Sequence, residues 1–165
     1  MNQIPFRASV IRPPVDTVSS LSRPEDSPVE INVREMVQRA CQAFEARMKQ
    51  QRIESIVDVD AELRAIVSPQ LTQEILAHLI EDSLNAMPEG GQLDVIAVIG
   101  SIGIEIEVSD SSFAFGGGVN QPSQLKTWQG IAARSGLQID TMSCPQGGLA
   151  RTLLLPWPNR SRAAA

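Results

Sequence analysis

The chain has no tyrosine and a single histidine, His78. Any imidazole chemistry must therefore use that one residue. Its two cysteines, Cys41 and Cys144, lie far apart and form no CxxC pair. They read as free thiols of a reducing cytosol, not as a disulfide framework or a metal knuckle. No apolar run approaches the roughly 20 residues of a membrane span. The stretch from Met1 to Asp16 carries Pro5, Pro13 and Pro14 and lacks the apolar core of a signal peptide. A basic surplus is missing too, with 14 Lys and Arg against 19 Asp and Glu and a net charge of −5. That balance argues against nucleic acid or anionic lipid as partner, because phosphate binding calls for a basic face. The expectation is a cytoplasmic protein with no nucleic-acid partner and no membrane segment.

What is there suits one domain: 165 residues, 42% hydrophobic and 20% charged. Residues 1–28 hold five of the eleven prolines and no apolar period, so they read as a flexible tail or as an arm that docks on a partner. Residues 159–165 read as a disordered C-terminal tail. Between them, Asn32 followed by Glu35 forms a helix N-cap with its reciprocal acid. Val33, Met36, Val37, Ala40, Cys41, Phe44 and Met48 recur at helical spacing and predict one helix from 33 to about 51. Ser55 to Asp60 and Ile66-Val67 read as short strands. Pro69 can open a second helix, from about Gln70 to Met87, stopped by Pro88-Glu89-Gly90-Gly91. Leu93 to Ile99 and Ile104 to Asp110 form a hairpin around Gly100-Ser101-Ile102-Gly103. A loop at 111–123, a third helix at 124–135 and strands at 137–142 and 149–155 complete the pattern. Hairpin-paired strands with helices on one face make an α+β two-layer sandwich: a mixed sheet and three helices.

Chemistry can gather at three places. Glu74, His78, Asp82 and Asn85 share one stripe of the second helix. That stripe is either a solvated face, a ligand-facing wall or, from Glu74, His78 and Asp82, a metal site. Strict alternation puts Asp110 on the inner side of its strand. A carboxylate there needs a partner, which is either the following loop or a bound ligand. Gly116-Gly117-Gly118 leaves a backbone free to wrap a phosphate, or is simply a flexible loop; it lacks the spacing and lysine of a P-loop. Trp128 and Trp157 read as packing residues.

Residues 28–158 resemble the ATP-binding domain of sensor histidine kinases, the fold shared with DNA gyrase B and MutL. Leu79-Ile80-Glu81-Asp82-Ser83-Leu84-Asn85-Ala86-Met87-Pro88-Glu89-Gly90-Gly91 follows that family's N-box helix and the turn after it. Ile104 to Asp110 resembles the strand ending in the adenine-reading aspartate. Gly147-Gly148-Leu149-Ala150-Arg151-Thr152-Leu153-Leu154-Leu155-Pro156 resembles the closing strand. The resemblance implies a domain at 29–158. It implies a nucleotide site from His78, Asp82, Asp110 and Gly116 to Gly118, with Asp82 as the magnesium ligand and ATP and Mg2+ as cofactors.

The departures also carry implications. His78 and Asp82 stand where the family has asparagines. The glycines after the aspartate are replaced in Asp110-Ser111-Ser112-Phe113-Ala114. Ser123-Gln124-Leu125-Lys126 takes the place of the second glycine box, and the lid loop is short. Side chains at such positions obstruct backbone amides from reaching phosphates, so weak ATP binding or none is expected. The helical hairpin bearing a phosphoacceptor histidine is missing, and His78 is not assigned that role. The implied function is a docking module of a two-component or phosphorelay pathway, with a response regulator or a histidine kinase as partner. The alternative is an ATP-dependent kinase domain that phosphorylates histidine, or serine in the anti-sigma manner, on a partner.

Overall fold

Secondary structure in the computed structural model follows the apolar periods closely. The structure describes residues 27–112, 123–145 and 147–158. The expected tails, apart from Ser27 and Pro28, and the run Gly116-Gly117-Gly118 lie outside the described residues.

Strand β1 (Val29–Asn32) leads straight into helix α1 (Val33–Gln42). Asn32 turns the chain: its side-chain oxygen accepts from the amide of Glu35 at 3.0 Å, and its amide donates to the carbonyl of Ala61 at 2.7 Å. Helix α2 (Glu45–Gln51) follows. The single helix expected from 33 to 51 is thus two, and the described residues form four helices where three were expected. The apolar spacing runs through the break, so it cannot reveal it. The backbone does: the Phe44 amide bonds Cys41 only three residues back, and Phe44 sits at φ −110°, ψ 4°.

Strands β2 (Ile53–Val59) and β3 (Arg64–Val67) come next, then α3 (Pro69–Ala86), β4 (Gly91–Ile99), β5 (Gly103–Asp110), α4 (Ser123–Arg134), β6 (Gln138–Ser143) and β7 (Leu149–Pro156). β1 and β3 form a small antiparallel sheet. The main sheet runs β2-β4-β5-β7-β6, with β2 parallel to β4 and the other neighbours antiparallel. A parallel pair needs a crossover, and β3 with α3 supplies it.

Alternation then sorts the sheet's two faces. Leu93, Val95, Ile104, Ile106, Val108, Leu153 and Leu155 point inward and are buried against Val33, Val37, Ile75, Leu76, Leu79 and Ile80 of α1 and α3. The outward positions Glu54, Asp58, Asp94, Glu105, Glu107 and Asp140 stay wet or half-wet. The two-layer α+β architecture with a mixed sheet is as expected. Among the described residues, no helix is long and apolar enough to cross a membrane. At Gly90, φ +107°, an added Cβ would lie 2.9 Å from the carbonyl oxygens of Gln51 and Arg52. Glycine there lets β4 start close beside the end of α2.

Candidate functional site

The last inward position of β5 is Asp110, 4% exposed. Four donors converge on its carboxylate. The guanidinium Nη1 of Arg151 donates to Oδ2 at 2.8 Å. On Oδ1, Ser112 donates through its amide at 3.2 Å and through its hydroxyl, and the Leu149 amide donates at 3.4 Å. A carboxylate offers about four acceptor sites, two on each oxygen: Oδ1 is fully taken by Ser112 and Leu149, and Oδ2 is held by Arg151 with room for one further donor. Asp110 thus holds the loop after it through Ser112, and it pairs with an arginine of its own chain.

That group comes from β7. Val108 lies opposite Arg151 in the register, which puts the guanidinium on the inner face one step from Asp110. Arg151 is 3% exposed, and its Nη1 also donates to the Ser83 hydroxyl of α3 at 2.9 Å. Its Nε has no hydrogen-bond partner among the described residues. Strand β7 approaches closely because residue 148 is glycine. At φ +90°, a Cβ on Gly148 would run into the carbonyl oxygen of Asp110.

Along α3 the expected stripe divides. Glu74 and Asn85 are exposed, pairing with Gln70 (3.1 Å) and Arg47 (2.6 Å). His78 and Asp82 are buried, with Nε2 and Oδ2 3.7 Å apart. Neither of these two atoms has a hydrogen-bond partner among the described residues. The His78 ring lies against Trp128 of α4, with centroids 5.0 Å apart. The structure therefore brings His78 together with Asp82, and Asp110 together with Arg151, with Ser83 joining Arg151 to the same helix. No group of three or more His, Cys, Asp or Glu side chains among the described residues is placed to hold a metal ion.

No family model matches the chain, and no curated protein matches it by sequence. Solved structures do match. The catalytic domain of histidine kinase ThkA superposes with a TM-score of 0.70 at 15% identity, covering 81% of this chain and 99% of that one. The chain has the histidine-kinase ATPase fold. The cytoplasmic segment of histidine kinase QseC matches with a TM-score of 0.65 at 18% identity, over 88% of this chain and 85% of that one. The ATP-binding domain of PrrB from Mycobacterium tuberculosis matches with a TM-score of 0.59 at 19% identity, over 81% and 100%. ThkA has also been solved in complex with the response regulator protein TrrA.

With the histidine-kinase ATPase fold in hand, the fit of a magnesium–nucleotide complex can be tested on the described residues, and it is poor. A purine edge needs an open acceptor at Asp110, but Oδ1 is taken by Ser112 and Leu149 and Oδ2 is held by the Arg151 guanidinium. Magnesium needs about six oxygen ligands in near-octahedral array. The unpartnered Asp82 oxygen is one, but its close polar neighbour is an imidazole backed by an indole. Sequence reasoning missed Arg151. The signal was an arginine at an inward position of the largely apolar run Leu149 to Leu155, three residues after Gly148. A buried arginine in such a strand requires a carboxylate.

Proposed function

We propose that this chain is a histidine-kinase-type ATP-binding domain whose nucleotide site is closed from inside, and that it serves two-component signalling as a docking module in the cytoplasm. The observation that carries the proposal is the buried ion pair of Asp110 with Arg151. A ligand that reads this aspartate must compete with a guanidinium already held there at 2.8 Å. Removing one partner of such a pair costs about 3–5 kcal/mol. That is comparable to the whole free energy of millimolar binding, about 4 kcal/mol. Asp82 adds to this, because an extra negative charge beside a triphosphate repels it unless a metal lies between. The partner is a response regulator or a histidine kinase. ThkA with TrrA supplies the precedent for a response regulator meeting a protein of this fold.

The test is calorimetric titration of ATP and ADP, with and without magnesium, into folded wild type. No heat is expected. Magnesium-dependent binding in the micromolar-to-millimolar range, lost in Asp110→Asn, would overturn the proposal. It would install the second reading, an active kinase domain that phosphorylates a partner in trans. The observation favouring that reading is the buried Asp82 oxygen, which has ligand capacity and no hydrogen-bond partner among the described residues.

A further inference from the structure

At the end of the sheet away from Asp110, two cavities of about 200 and 360 Å³ open side by side. They share one wall, made of Ile66 of β3 and the run Pro156-Trp157-Pro158 after β7. This wall is apolar and wet: Ile66 is 51% exposed and Trp157 is 42% exposed. The main chain at Trp157 is fixed, because its backbone amide donates to the carbonyl of Ile102 in the β4–β5 turn at 3.0 Å. Exposed Val29, Ile99 and Ile102 belong to the same end of the fold. An anchored, half-exposed tryptophan flanked by prolines, with apolar neighbours on both sides, is a surface that expects cover.

The sequence itself offers the cover. Twenty-six residues precede Ser27, and the chain joins the fold at Pro28, which lines the larger cavity. These residues include Ile11-Arg12-Pro13-Pro14-Val15. Two successive prolines favour an extended polyproline conformation that loses little entropy on binding, and aromatic-lined grooves take such segments. Arg12 supplies a cation for Glu30, which lines the smaller cavity and makes no ion pair among the described residues. The 13 residues from Val15 to Ser27 reach roughly 40 Å when extended, more than the groove requires. A tether this short gives an effective concentration of about 1 mM. That exceeds any ordinary concentration of a second copy, so attachment favours the chain's own segment.

We propose that the segment around Pro13-Pro14 docks across Ile66 and Trp157, folding the N-terminal arm back onto its own domain. This is independent of whether Asp110 admits a nucleotide. The test uses the full chain carrying Trp128→Phe, so that Trp157 is the sole fluorophore. Acrylamide quenching of Trp157 is compared with and without Pro13→Ser and Pro14→Ser. Loss of the contact should raise quenching at least about twofold, since a millimolar tether acting on a millimolar contact keeps it half-filled or better. Hydrogen exchange of residues 8–18 gives a second readout: Ile66→Glu should speed it by the same factor. Equal quenching in both chains, together with exchange indifferent to Ile66→Glu, overturns the proposal. Quenching that falls as protein concentration rises also overturns it, because the cover would then be a second copy.

Discussion

Asp110 and Trp157 sit at opposite ends of the same sheet, and their surroundings could hardly differ more. Around Asp110, charge is buried and answered within the chain by Arg151, Ser112 and Leu149. Around Trp157, apolar surface is left open to water. The first end is filled by side chains that answer one another, and the opposite end leaves apolar side chains exposed. Unmet binding capacity in a protein lies where the chain has not already satisfied itself.

The contrast can be broken by mutation. Arg151→Met leaves Asp110 buried and uncompensated, and should cost about 3–5 kcal/mol in urea unfolding. Adding Asp110→Leu should restore most of that loss, since apolar replacement of both partners is often neutral or stabilising. A single variant within about 1 kcal/mol of wild type would mean that the pair does not close this end. Gly148→Ala comes next. It forces a side chain into φ +90° against the Asp110 backbone, and should cost about 1–3 kcal/mol.

Cys41, on α1, is a reporter for the helical layer. Burial pushes its thiol up from 9.0 to about 11. The folded thiol therefore stays protonated where an unfolded one ionises. Its contribution to stability is intact below pH 9.0 and is lost as pH rises through about 11. Alkylation of Cys41 at pH 8 should be slow in wild type and in variants at the Trp157 end. Arg151→Met should quicken it, because Ser83 ties Arg151 to α3, which packs on α1. Equal rates would confine the disturbance to the sheet. The smallest effect belongs to Ile99→Lys. Ile99 is among the most exposed large apolar side chains, and its substitution should change stability by no more than about 0.5 kcal/mol.

Much of this was legible beforehand. The strand alternation placed Asp110 inward, and the helix, hairpin and closing strand fell close to where their apolar periods put them. Strand β1 was hidden, because four residues before the helix cap carry too little alternation to be read as a strand, and nothing local announces pairing with β3. The break at Phe44 was hidden because hydrophobic spacing survives a tightened turn. The fate of the stripe on α3 depended on α4. Spacing put Glu74, His78, Asp82 and Asn85 together, but only packing against Trp128 separates the buried pair from the wet one. Arg151 was legible in principle, as a lone cation in an apolar strand. Its partner required the register between β5 and β7.

The ion pair also joins residues 41 positions apart in sequence. A ribosome adding 5–20 residues per second makes the aspartate roughly 2–8 s before the arginine. Throughout that interval β5 ends in a carboxylate with no counter-charge, and the sheet cannot close over it at low cost. The domain's final strand is thus also its lock. A chain shortened before Arg151 would lose more than one strand, and the growing protein passes through that open form each time it is synthesised.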